Sequence, residues 1–260
     1  MKVANSLLYR IPLYEQTIAT SYRLSVIIPV YNERHVVETS LRRVLALEHE
    51  LISSLELIVV DDSSTDGTLE VLKRLADEDA RITLIAHETN RGKGAAIRTA
   101  LSHSTGDIVV IHDADLEYNP ADIPSLLVPF AKEGADAVFG SRYLSAPYRR
   151  ALMYRHTMIN KVLTILGNWF TDLTLTDIET CYKMFTREVL QSLNITANDF
   201  GIEVQISAQI ASARKWRIYE TAIHYYGRTY HEGKKINWKD GLKALWYLFK
   251  YRMNPGGVSV

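Results

Sequence analysis

Asp113, Asp115 and Glu117 stand at every second position after the apolar run Ile108-Val109-Val110-Ile111 and His112. Alternate residues of an extended segment leave on the same side, so three carboxylates project together from one strand end. Carboxylate oxygens suit Mg²⁺ or Mn²⁺ rather than a soft metal, and a cation here could hold the phosphates of a nucleotide. An Asp-x-Asp on its own is more often a solvated strand end, so the neighbouring stretches decide. Two of them also run from apolar residues into polar ones. Residues 24–30 (Leu-Ser-Val-Ile-Ile-Pro-Val) lead into Tyr31, Asn32 and Glu33, and residues 55–60 lead into Asp61 and Asp62. Pro29, Tyr31, Glu33, Asp61 and Asp62 could read a nucleoside, the acids accepting from base N–H groups and ribose hydroxyls. The third stretch would then hold metal and diphosphate.

Elements that could bring these ends together are visible in the pattern. Short apolar runs at 24–30, 55–60, 81–86, 107–112 and 135–140 read as buried strands, each followed by a segment of helical period. Five β-then-α units in residues 24–140 predict a doubly wound, mostly parallel sheet, with its ligands at the carboxyl ends of the strands. Ser64 or Thr65 is placed to cap the second helix. Asn90-Arg91-Gly92-Lys93-Gly94 opens the third; its backbone N–H groups would favour an anion, although it lacks the full Walker pattern.

The second half is less regular. It reads as a helix over 149–170, basic at its start and apolar later, then a loop and short strand over 176–185. A helix over 201–214, a strand over 216–226, a loop of mixed charge over 227–235 and a basic amphipathic helix over 238–251 follow. No linker divides it. The expected organisation is an extension over 1–22 and one domain over 23–260, its nucleotide-binding half about 24–145 and its acceptor-side half about 146–260.

Composition narrows the functional classes. The 260 residues carry 30 basic and 30 acidic side chains, so the molecule as a whole is no electrostatic nucleic-acid binder. The single cysteine, Cys181, excludes an intrachain disulfide and a Cys-rich zinc site and fits a reducing compartment. No signal peptide or membrane span is legible, which predicts a cytoplasmic protein or one peripheral to the cytoplasmic membrane face. His112 reads as a buried strand residue, and His224 and His231 as surface or loop residues.

Taken in order, Ser25-Val26-Ile27-Ile28-Pro29-Val30-Tyr31-Asn32-Glu33, Val59 to Thr68, Asn90 to Gly94, Asp113-Ala114-Asp115-Leu116-Glu117 and Gly140-Ser141-Arg142-Tyr143 resemble family 2 glycosyltransferases of the GT-A fold. Within these the chain is most similar to the dolichol-phosphate mannose synthases and bacterial polyprenyl-phosphate glycosyltransferases. The resemblance covers roughly residues 24–145. It implies a nucleotide pocket lined by Pro29, Tyr31, Glu33, Asp61 and Asp62, with Lys93, Asp113 and Ala114 near the nucleotide. It implies metal ligation by Asp113 and Asp115, and by Glu117, which stands where the synthases carry Gln. Arg142 would meet the diphosphate or the acceptor phosphate, and Arg228 and Lys234 would close over the phosphates.

The chemistry expected is an inverting, Mg²⁺- or Mn²⁺-dependent transfer of a hexose from GDP-mannose or UDP-glucose to a polyprenyl phosphate. Negative charge grows on the leaving diphosphate, and a cation with fixed basic groups such as Arg142 stabilises it there. A phosphate acceptor is already anionic. A sugar hydroxyl needs a base, and Asp177 and Glu179 are the candidates if the acceptor is a hydroxyl in polysaccharide or glycolipid synthesis. A catalytically silent nucleotide-binding domain is the reading from another class. Arg149, Arg150, Arg155 and Lys161 beside an apolar helix, and the stripe Trp238, Leu242, Leu245, Trp246 and Phe249, fit either a membrane-surface contact or packing on the chain's own sheet. An integral membrane partner or a homo-oligomer stays open as a further partner.

Overall fold

A computed structural model describes residues 21–144, 150–151, 153–199, 201–227 and 246. The predicted helix over 238–251 and the basic residues Arg228 and Lys234 lie outside the described residues, Trp246 apart. The strands are β1 (Tyr22–Val30), β2 (Ile52–Asp61), β3 (Ile82–Ala86), β4 (Ile108–Ile111), β5 (Ala137–Ser141), β6 (Lys183–Thr186) and β7 (Ile218–Ala222). The helices are α1 (Val37–Leu45), α2 (Thr68–Glu78), α3 (Lys93–His103), α4 (Ile123–Glu133), α5 (Tyr154–Thr171), α6 (Arg187–Ser192) and α7 (Ile202–Ser212).

The strands form one sheet in the order β3-β2-β1-β4-β6-β5-β7. All run parallel except β6, which pairs antiparallel with both β4 and β5. The predicted doubly wound, mostly parallel α/β sheet is therefore present. Its interior is continuous and branched: Val26, Ile27, Ile28, Ile58, Val59, Val60, Val109, Val110 and Ile111 are fully buried, as a sheet covered on both faces requires. The chain steps from β1 through β2 to β3, then returns to lay β4 on the other side of β1. The β1/β4 boundary is thus the switch point at which such sheets open a crevice.

Three expectations are corrected. The first strand begins at Tyr22, inside the expected extension, because Tyr22 N donates to Leu51 O beside β2. Neither Ser64 nor Thr65 caps α2. Gly67 occupies the cap at φ 91°, and Asp66 Oδ1 accepts from Thr68 N at 3.0 Å, which the short 63–67 turn permits. The helix predicted from residue 149 begins only at Tyr154, after an extended Met153.

α5 carries apolar residues on two sides. Asn160, Thr164 and Asn168, one turn apart, form its inner stripe and hold the chain opposite. Asn160 Nδ2 donates to Asp177, Thr164 Oγ1 accepts from Ile178 N, and Asn168 makes two bonds with the Leu175 backbone. Tyr154, Met158, Ile159, Val162, Ile165 and Trp169 are all exposed on its other side. Leu163, Leu166 and Phe170 pack inward on the core, so the packing alternative holds for that side of the helix, and the exposed residues form a second apolar stripe. No helix among the described residues is long and apolar enough to cross a membrane.

Candidate functional site

β2, β1 and β4 are adjacent, so the three polar strand ends do lie side by side. Each end carries a non-glycine residue in the left-handed region: Asn32 at φ 53°, Ser63 at 64° and Leu116 at 63°. Such conformations cost energy, most clearly for leucine, and persist where surrounding bonds enforce them; they cluster at functional sites. The enforcing bonds are visible. Ser64 Oγ accepts from Asn32 N at 2.9 Å, Asn32 Oδ1 accepts from Thr65 N at 2.8 Å, and Thr68 Oγ1 accepts from Glu33 N at 3.0 Å. The β1 and β2 loops are laced into one wall, with Tyr31 exposed at its rim and Pro29 and Glu33 half-buried.

Asp61 and Asp62 divide the labour differently from each other. Asp61 is fully buried; its Oδ2 accepts from Ser64 N, while Oδ1 finds no hydrogen-bond partner among the described residues. A buried carboxylate oxygen left unpaired is costly, and a donor from a ligand or a water would relieve it. Asp62 is spent internally. It accepts from Arg91 N at 2.9 Å and Gly92 N at 2.7 Å and pairs with His87 Nδ1 at 2.7 Å. It shapes the glycine loop rather than presenting itself to a nucleoside.

That loop is not an open anion cradle. Gly94 N and Ala95 N both donate to Asn198 O, so the α3 N-terminus is stoppered by the chain before α7. Gly92, at φ 90°, and Gly94 admit this close approach, since a Cβ on either would overlap the Asn198 or Ala197 carbonyl. Arg98 reinforces the seam through Asn198 Oδ1 at 2.8 Å. Lys93 turns inward, with Nζ 2.9 Å from Asp113 and 3.1 Å from Glu203. Burial pushes the Asp113 carboxyl up, but Lys93 more than reverses this and holds it below the ordinary range.

After β4, Asp115 Oδ1 accepts from Glu117 N, closing the turn around Leu116 and buried Ala114. Glu117 is tied elsewhere: Tyr225 Oη donates to its Oε2 at 2.5 Å, and Tyr226 N donates to its carbonyl. Among the described residues, no three His, Cys, Asp or Glu side chains are grouped so as to enclose a metal. Two aspartates with the remaining positions left to water and substrate phosphate are a donor set that fits Mg²⁺ or Mn²⁺.

Arg142, at the end of β5, is fixed by Asp177. The carboxylate accepts from Nε at 2.6 Å, from Nη2 at 2.7 Å and from the Arg142 backbone N–H, and Asn160 Nδ2 donates to it as well. The guanidinium lies 5.0 Å from the Tyr225 ring centre. Asp177, fully buried and bonded on both oxygens, is an anchor for Arg142 and not a base presented to a substrate. Glu179 differs: its Oε1 is buried without a hydrogen-bond partner among the described residues. Burial, opposed by Lys183 and reinforced by Glu203, pushes its carboxyl up to about 7.

Sequence reasoning missed Glu203, Lys183 and Tyr225. Nothing in a buried helix pattern marks Glu203 as facing the β4 end; its Gln205 and Gln209 neighbours, which template residues 194–197, look equally polar. His112 is buried as expected, between Ser40 Oγ and Tyr182 Oη. His224 is not a free surface residue: its Nδ1 pairs with Asp122 at 2.8 Å.

The profile described as glycosyl transferase family 2 matches residues 25–193, well over half the chain. The chain belongs to glycosyl transferase family 2. Among curated proteins, this family 2 member is 28% identical over 213 residues to the undecaprenyl-phosphate 4-deoxy-4-formamido-L-arabinose transferase of Salmonella enteritidis PT4, covering 82% of the chain and 62% of the relative. The same figures hold for its counterpart in Salmonella choleraesuis. The chain thus spans less than two thirds of the length of these relatives. Glucosyl-3-phosphoglycerate synthase of Mycobacterium tuberculosis superposes with a TM-score of 0.66 at 21% identity, over 90% of this chain and 82% of that one. A second structure of that synthase, solved with Mn²⁺, UDP and phosphoglyceric acid, gives 0.66 at 23% identity, over 90% and 80%. These two likenesses show the GT-A fold.

Proposed function

We propose that the protein is an inverting hexosyltransferase that takes its sugar from a nucleotide donor and passes it to a polyprenyl phosphate, with GDP-mannose and UDP-glucose the leading donors. The observation that carries this is the polar wall at the β1/β4 switch point, together with Arg142, which follows the parallel strand β5 on the same sheet edge and is held by the buried Asp177. Pro29, Tyr31, Glu33 and Asp61 would receive the nucleoside, the unpaired Asp61 oxygen accepting from the base. Asp113 and Asp115 would hold Mg²⁺ or Mn²⁺, which when bound would screen the diphosphate as it leaves. Arg142 is a fixed cation for a leaving or attacking phosphate, and its position costs no rearrangement during reaction.

The curated relatives, by name, act on undecaprenyl phosphate, which supports a lipid phosphate acceptor. The spending of Asp177 on Arg142 supports it too, because a phosphate nucleophile needs no base. The exposed α5 stripe, with the exposed Lys161 on the same helix and no acid within it, would seat on the cytoplasmic membrane face beside such an acceptor. Arg228 and Lys234 would close over the phosphates.

Glu179 supports a second reading. A carboxyl with one buried, unpaired oxygen, pushed up to about 7 by burial, suits a general base for a sugar hydroxyl. The deciding experiment offers nucleotide sugars with Mn²⁺ or Mg²⁺ to polyprenyl phosphate and to oligosaccharide acceptors. An acid-labile, lipid-linked glycosyl phosphate is the expected product, with Glu179→Gln keeping activity within a few-fold. A stable glycoside, lost roughly 10²-fold or more in that variant, selects the hydroxyl acceptor instead. Absence of donor turnover with either metal removes both.

A further inference from the structure

Four charged side chains alternate in sign from the end of β4 through α3 and α7 to the start of β6. Asp113 meets Lys93 Nζ at 2.9 Å, Lys93 meets Glu203 at 3.1 Å, and Glu203 meets Lys183 Nζ at 3.1 Å. Lys183 also donates to the Ile178 and Thr180 carbonyls. The inner members are deeply enclosed: the side chains of Lys183, Glu203 and Lys93 are 0%, 5% and 14% exposed. A buried ammonium stripped of its partner is strongly unfavourable. Yet a divalent cation drawn to Asp113 must compete with Lys93, because two cations repel each other across one carboxylate. Glu203 resolves this conflict: its Oε1, buried without a hydrogen-bond partner among the described residues, already lies 3.1 Å from Lys93 Nζ and can take up the ammonium when Asp113 turns to the metal.

We infer that Lys93 is a resident counter-ion that occupies Asp113 until a divalent cation arrives and is then retained by Glu203. Glu203 is accordingly a positioning residue for the metal site, although it sits on the acceptor-side helix α7. This rests on the reading of Asp113 as a metal ligand. It differs from a nucleotide contact for Lys93 in one respect: it acts on the metal with no nucleotide present.

The test titrates Mn²⁺ alone into the full chain, reading free Mn²⁺ by electron paramagnetic resonance, for the wild type, Lys93→Met, Glu203→Gln and the double variant. Melting temperatures are recorded alongside. Lys93→Met removes the competitor and is expected to bind Mn²⁺ about tenfold more tightly. Glu203→Gln leaves Lys93 dependent on Asp113 and is expected to bind about tenfold more weakly. The double variant should match Lys93→Met, because Glu203 acts only through Lys93. A merely structural Glu203 would lower the melting temperature and leave the Mn²⁺ affinity of the folded protein unchanged. Unchanged or weaker binding by Lys93→Met overturns the inference, whether or not Glu203→Gln folds. If the wild type binds no Mn²⁺ even with UDP or GDP, the metal reading falls and takes this inference with it. If it binds and Lys93→Met makes no difference, the metal reading stands and this inference alone falls.

Discussion

Asp115 and Glu179 carry the sharpest expectations for single residues. Asp115 lies in a turn after the strand, outside the packed core, so Asp115→Ala should abolish donor turnover and leave the melting temperature within a few degrees; retained activity would remove it from the metal site. Glu179 bears on stability. Its folded carboxyl titrates near 7, above the ordinary carboxylate value of 4.5. Between those values the folded state holds a proton that the unfolded state has released, so stability falls as pH rises through this window, by at most about 1.4 kcal/mol per pH unit. Glu179→Gln removes the titration. Denaturant unfolding at pH 5 and pH 8 should show the variant gaining on the wild type at the higher pH, and equal offsets at both would refute the raised value. The sequence displayed the residues at the strand ends because short acids after branched runs are a one-dimensional signal. It did not display their partners. That Asp62 is consumed by the 90–92 loop, Asp177 by Arg142 and Glu117 by Tyr225 depends on contacts 28 to 108 positions apart, which no local period encodes.

Among the elements, strand and helix identities over residues 24–140 were legible, since the period changes cleanly from strand to helix in each unit. The insertion of β6 between β4 and β5 was not, because a four-residue strand says nothing about which gap it fills. The glycine loop before α3 had a misleading signature. Its small residues suit an anion site, and they equally suit a carbonyl pressed into the helix end; the second use is the one observed. Gly94→Ala should therefore destabilise the protein by about 1–3 kcal/mol through overpacking against the Ala197 carbonyl, measured by chemical denaturation. No loss of stability would mean that the seam is loose. α5 shows the reverse problem. Its apolar residues were evident, but the three polar ones that choose its inner face matter only because the 175–178 chain offers them bonds.

At the scale of the whole molecule, the outward stripe of α5 sets an expectation for membranes. Ile165 and Trp169 are 67% and 68% exposed, so replacing both with Ser should leave stability nearly unchanged. Co-sedimentation with phosphatidylglycerol-rich vesicles should fall several-fold, while phosphatidylcholine vesicles bind little in either case. Equal sedimentation of variant and wild type would dismiss α5 as the seat. The final consequence comes from the reversed strand. In a sheet whose strands all run one way, the ligand edge receives only what the chain says after each strand. β6 runs against its neighbours, so its entrance, not its exit, opens onto that edge, and residues 176–182 arrive there as a lead-in. That lead-in is pinned by Asn160 and Thr164 of α5 on one side and by Glu220 of the edge strand β7 on the other. Under the proposed function, exchange at its half-buried Glu179 would alter the acceptor end of the site while the β1–β4 wall keeps its register.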